Sequence, residues 1–219
     1  VLLRVAIALS FFVVAMSHAG TPGSAQSISA ASDAEQWVIG PILRQRNYSV
    51  GMPLHPTPRR EGGFQIDLPR APGSAHYVTF SHGSLAGKRR IRMRYRIQAE
   101  PGARIVATTD PKSAGIITPY FQRAGDNWSA RGRFETYRWY ATFATKVLEP
   151  GVFEVVAPLA GKWTAVEKSN AHDAPAAFRD AMTDADQVGF VLGGGDGFGH
   201  GVHVVGGRAR LIVTDFRVE

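Results

Sequence analysis

Cysteine is absent from all 219 residues, so no disulfide and no thiolate metal site can hold the chain together and a hydrophobic core must do so alone. Small stapled scaffolds are thereby excluded. Acidic residues are the scarcer charge, 18 against 25 Lys and Arg, for a formal net charge of +7. Most of that excess is arginine, whose planar guanidinium makes bidentate contacts with carboxylate and sulfate-like groups. Long apolar runs are missing too. The stretch 5–16 spans twelve residues, short of the roughly 20 a membrane-crossing helix requires, so no membrane span is expected. There is no Gly-x-Ser-x-Gly elbow, no His-Glu-x-x-His pair and no dinucleotide or phosphate loop, so serine-hydrolase and zinc-protease chemistry lack a signature and no cofactor is expected. Heptads and internal repeats are also absent. The basic residues are dispersed and carry no nucleic-acid motif, which argues against nucleic acid as a partner.

What is present begins with an address. Arg4, the apolar stretch 5–16 and Ser17-His18-Ala19 follow the basic, apolar, small-x-small order of a secretory signal. Residues 1–19 are therefore expected to be removed on export to a periplasmic or extracellular space, with Gly23-Ser24-Ala25 as a second cleavage point. Residues 20–32, mostly Gly, Ser, Ala and Thr, read as a flexible leader. Residues 33–219 read as one domain, a length that suits a sandwich with a sizeable core.

Within that domain, period-2 alternation recurs between Gly and Pro punctuation. Residues 64–68 alternate and stop at Pro69; 77–80 form a second strand. In residues 90–98, Ile91, Met93, Tyr95 and Ile97 share one face, and Arg90, Arg92, Arg94, Arg96 and Gln98 the other. Further strands are predicted at 104–109, 116–122, 134–146, 152–156, 187–192, 201–205 and 209–218. The one helical pattern follows His172-Asp173-Ala174-Pro175, where Asp173 could cap, Pro175 suits a first turn and Phe178, Ala181 and Met182 recur at helical spacing. The sum is an all-β chain, an antiparallel β-sandwich of jelly-roll type with one short helix near 175–183.

Trp163-Thr164-Ala165-Val166, the helix with Phe178, Val188-Gly189-Phe190-Val191 and the terminal 209–218 resemble the closing strands of galactose-binding-like jelly rolls, an architecture found among carbohydrate-binding modules. The resemblance implies a β-sandwich and sugar binding. Residues 120–128 are similar to the Tyr-Phe-Lys-Ala-Gly stretch of jelly-roll alginate lyases, through Tyr120-Phe121 before Ala124-Gly125. The Gln-Ile/Val-His and Arg-Ser/Thr-Glu-x-Arg motifs of those enzymes are missing.

Three constellations carry candidate chemistry. The ladder Arg90, Arg92, Arg94, Arg96 spaces guanidiniums about 7 Å apart, a track for an acidic polysaccharide unless Asp67, Glu135 or Asp215 pair with it. In 128–140, Tyr137, Trp139, Ala141 and Phe143 are expected to point inward and Arg138 and Tyr140 outward. Trp128, in the preceding loop, and Tyr140 would then stack on a sugar face while Arg138 bonds hydroxyls. Residues 193–201, with six glycines in nine positions, hold Asp196 and His200 beside His203. Such glycine density permits close backbone approach to a ligand; a metal there would need Asp196 recruited, because His200 and His203 fall on opposite strand faces, and none is expected. The candidate binding set is thus Trp128, Arg138, Tyr140, Arg92, Arg94, Asp196 and His200. It points to exported, non-catalytic binding of carbohydrate, with acidic polysaccharide a candidate ligand. The rivals are a polysaccharide-degrading enzyme using Glu135 with Asp126 or His200, and an envelope protein that binds another protein.

Overall fold

The computed structural model describes residues 29–73, 75–194 and 197–219. The expected signal segment 1–19 and residues 20–28 of the expected leader lie outside these. Residues 29–32 belong to the fold rather than to a free leader. The side chain of Ala31 is fully buried, the Trp37 indole donates to the Ala30 carbonyl at 3.0 Å, and the Ser29 hydroxyl accepts the Phe216 amide at 2.9 Å.

Two open antiparallel sheets pack face to face, as the alternating segments predict. The first runs Trp37–Gly40, His76–Ser81, Ala185–Gly193, Ile116–Arg123, Arg138–Tyr140, Thr164–Ala165 in spatial order, with Lys146–Val147 also on Ile116–Arg123. The second runs Gly151–Pro158, Arg90–Ala99, Ala209–Val218, Phe64–Asp67, Thr57–Pro58. Long ladders join strands far apart in the chain, Arg90–Ala99 with Ala209–Val218 and His76–Ser81 with Ala185–Gly193, so the β-sandwich is held largely by distant contacts.

Alternation decides what enters the core. Ile91, Met93, Tyr95 and Ile97 are buried between the sheets while Arg90, Arg94 and Arg96 stay exposed. Trp37 sits at the centre, its ring 4.7 to 5.0 Å from Phe64, Phe80 and Phe216, and each such ring contact adds to area burial by about 0.5–1.5 kcal/mol. The one α-helix among the described residues, Pro175–Thr183, closes an end of this core by placing Phe178 against Trp139 and Phe121, at 4.9 and 5.7 Å. Pro175 opens it as expected. Asp173 does not cap it; its carboxylate is engaged by the Asn170 amide, and Ala174 stands at the cap position. No helix among the described residues is long and apolar enough to cross a membrane.

The predicted strand 134–146 is corrected. Gly132–Thr136 and Thr142–Ala144 are 3-10 turns, and strand is confined to Arg138–Tyr140 and to Lys146, which opens the separate strand Lys146–Val147. After Tyr140 the chain leaves the sheet: the Ala141 amide still reaches the Pro119 carbonyl, then Ala144 and Thr145 fold back on residues 141 and 142. Trp139 and Ala141 are core, but Tyr137 is only half-buried and Phe143 is 47% exposed, because neither belongs to the strand whose pleat would have turned it inward.

Candidate functional site

The outer face of the first sheet, turned away from the core, carries an unusual density of polar and aromatic groups. Register puts Gly40 beside Tyr77, Thr79 beside Gly189, Gly189 beside Tyr120, Tyr120 beside Tyr140, and Gln122 beside Gln187 and Arg138. Pleating sends all of these to one side. Arg138 and Tyr140 thus do point opposite to Trp139, as the alternation requires. They do not reach solvent, however: Arg138 is 6% and Tyr140 2% exposed. Two loops cover them. Residues 124–131 lay Trp128 over the Arg138 guanidinium at 4.8 Å, and the glycine-rich loop places the Phe198 ring 5.3 Å from Tyr140.

Beneath the loops lies a buried polar network. The Tyr77 and Tyr140 hydroxyls share a hydrogen bond at 2.8 Å. Tyr120 donates to the Gln122 side-chain carbonyl at 2.9 Å, Gln122 Nε2 donates to Asp126 Oδ2 at 3.0 Å, and Arg138 Nε lies 2.9 Å from that same oxygen. Asp126 Oδ1 accepts the Trp128 amide at 3.0 Å. Burial pushes the Tyr77 phenol up, and the Tyr120 and Tyr140 phenols well above the ordinary tyrosine range, so all three are neutral hydrogen-bonding groups at physiological pH. Burial likewise raises the Asp126 carboxyl, with Arg138 the largest influence in the other direction.

Trp128 has a φ of 63°, a left-handed conformation rare for a bulky residue and costly by about 1–3 kcal/mol. Its half-buried ring also meets Tyr77 edge-on at 4.9 Å. The network therefore holds an indole in a strained pose at the mouth of a cleft. That cleft has a volume of 320 Å³, and its walls include Tyr77, Gln122, Asp126, Trp128, Asp186 and Gln187. Amides, carboxylates, a phenol and one aromatic ring converge within a space at the small end of the range for ligand pockets. Such groups can exchange hydrogen bonds with a hydroxyl-bearing ligand.

The other candidates fall elsewhere. Arg92 and Arg94 stand on the outer face of the second sheet, across the core from the cleft, and share Glu154 at 2.8 and 2.9 Å; Arg90 pairs with Glu219. The three acids expected to neutralise the ladder have other partners: Asp67 holds Arg210, Asp215 holds Arg217, and Glu135 accepts the Gly132 amide. Glu154, opposite Arg94 in register, takes their place. His200 is exposed on its loop, and Asp196 lies outside the described residues. Among the described residues no three His, Cys, Asp or Glu side chains gather as metal ligands. The glycines of this loop serve a close approach, but to the protein's own ring: a Cβ on Gly199 would stand 2.4 Å from Tyr77 ring atoms. Tyr77, Gln122, Asp186 and Gln187 escape sequence reasoning, although the alternation of Tyr120 with Gln122, polar groups on the non-core face of a buried strand, is a signal that could have found them. No family model matches this chain, and neither does any curated protein.

Proposed function

We propose that this chain is an exported, non-catalytic carbohydrate-binding protein whose ligand seats in the Trp128 cleft. The observation that carries the reading is Trp128 itself, held at positive φ over Arg138 at the edge of a small polar cleft. An indole face matches the apolar face of a pyranose, and Asp186 and Gln187 in the cleft wall offer acceptors and a donor for its hydroxyls, while Gln122 and Asp126 brace the indole from beneath. Arg138 contributes from below, by orienting the indole. Tyr140 supports Tyr77 through their shared hydrogen bond and does not stack on ligand. Asp126 is paired with Arg138, and the Asp186 carboxylate, which no cation holds among the described residues, favours a neutral sugar here over an acidic one. The signal-like order of residues 1–19 and the resemblance to galactose-binding-like jelly rolls agree with this reading.

One observation favours an enzyme as the second reading. Tyr77 lines the cleft and is backed by a second phenol and a guanidinium, a chain that could pass a proton to a bound sugar. A glycan array with wild type and Trp128→Ala separates the two. The binding reading expects retention of neutral glycans that falls at least about ten-fold, or 1.4 kcal/mol, in the variant with its circular dichroism unchanged. New reducing ends, or ultraviolet absorbance from an unsaturated product, lost in Tyr77→Phe, would establish the enzyme instead. No retention of any glycan and no turnover would refute both.

A further inference from the structure

A groove of 590 Å³ lies on the opposite side of the sandwich, at one end of the arginine-bearing sheet. Gln98, Arg210 and Asp67 stand side by side across three adjacent strands and form its floor. Arg70, just beyond the Phe64–Asp67 strand, and Arg208, just before the Ala209–Val218 strand, flank it with Glu100. Both carboxylates of the groove are already engaged: Asp67 accepts Arg210 Nε at 2.5 Å, and Glu100 accepts the Arg208 backbone amide at 2.9 Å. The exposed Arg70 and Arg208 guanidiniums have no acid partner among the described residues, and neither does Arg96, two residues from Gln98 on the same face. Along the Arg90–Ala99 strand each of Arg90, Arg92 and Arg94 thus has an acid partner in Glu154 or Glu219, whereas at the other end Arg70, Arg208 and Arg210 outnumber the two carboxylates of the groove and Arg96 adds a further cation beside it.

We propose that this groove binds a segment of acidic polysaccharide through its carboxylate or sulfate groups. Guanidinium forks match both groups bidentately, and the Gln98 amide adds a donor for hydroxyls. A single strand of nucleic acid would stack its bases on aromatic rings, and none lines the groove. The inference stands independently of the Trp128 cleft.

Affinity electrophoresis in gels containing polygalacturonate or heparin tests it, with single-stranded DNA as competitor. Retardation is expected at low salt with at least one of the two polymers, which also tells carboxylate from sulfate preference, and should fade towards about 1 M salt, where the screening length is about 3 Å. Arg70→Ser/Arg208→Ser should weaken binding by about ten-fold or more, while Arg90→Ser/Arg92→Ser, which removes charges already paired, should change it by less than about three-fold. Trp128→Ala should leave it unchanged. Absence of retardation by either polymer would overturn the proposal. So would equal losses in both double variants, which would mean diffuse attraction; loss in Trp128→Ala, which would move the anion to the cleft; or displacement by DNA at equal charge, which would make the groove a nucleic-acid site.

Discussion

Asp126→Ala is expected to lower stability by about 3–5 kcal/mol, far more than removal of a surface acid. The side chain of Asp126 is fully buried and that of Arg138 is 7% exposed, so deleting the carboxylate strands a guanidinium beneath Trp128 with its counter-charge gone. Gln122 Nε2 and the Trp128 amide lose their acceptors as well. Glu154 is the contrast. It holds two arginines but lies exposed on the second sheet, where water and salt screen the pairs, and Glu154→Ala should shift the melting temperature far less than Asp126→Ala. Thermal melts of both variants measure the gap. Asp126→Leu/Arg138→Met, which removes both charges, should recover most of the stability lost by Asp126→Ala, because the main penalty is the unpaired buried charge and not a missing attraction. Equal melting temperatures for Asp126→Ala and Glu154→Ala would show that the network under Trp128 is not closed to water.

Acid should destabilise the protein through His76. This side chain is fully buried, its Nδ1 accepts the Val202 amide at 3.1 Å, and burial pushes its pKa down from 6.5 to about 4, with the Val50 backbone opposing. A proton on Nδ1 would remove that acceptor. Because the folded value is the lower one, the unfolded chain binds the proton first as pH falls. The contribution of His76 is complete above about pH 6.5, declines through the window down to about 4, and is gone below it. At about 1.4 kcal/mol per pKa unit the loss is about 3 kcal/mol. The raised carboxyl of Asp126 works in the opposite direction, since a folded state that binds its proton more tightly gains stability as pH falls. Comparison with His76→Gln isolates the histidine: urea unfolding at pH 7 and pH 4.5 should show a steeper loss in wild type. Parallel losses would mean that His76 is hydrated or protonated in the fold.

The residues differ in how far they disclose their roles in sequence. The strand Arg90–Ala99 is legible because one face meets the core and the other water, so ten residues repeat the same instruction. Arg138, Trp139 and Tyr140 repeat it only once, and their faces are assigned correctly while their exposure is not. Whether a sheet's second face is wet depends on what lies over it. Here that is Trp128, ten residues before Arg138, and Phe198, more than fifty residues after Tyr140, and no local period reports such contacts. The glycines at 193–201 are visible as a demand for space, yet the occupant of that space at Gly199 is Tyr77, known only once the strands are paired. The arginine ladder is visible as well, and its neutralisation is not, because Glu154 reaches it from a strand sixty residues away.

The cleft can be tested through its own indole. Of the four tryptophans, Trp37, Trp139 and Trp163 are fully buried and Trp128 is half-buried at the cleft mouth, so acrylamide quenching of tryptophan fluorescence reports chiefly on Trp128. With the neutral glycan retained most strongly on the array, added to saturation, quenching should fall towards that of Trp128→Phe, whose remaining tryptophans are all shielded. A glycan that binds while quenching stays at its ligand-free level would contradict the account, because the sugar would then lie elsewhere on the protein.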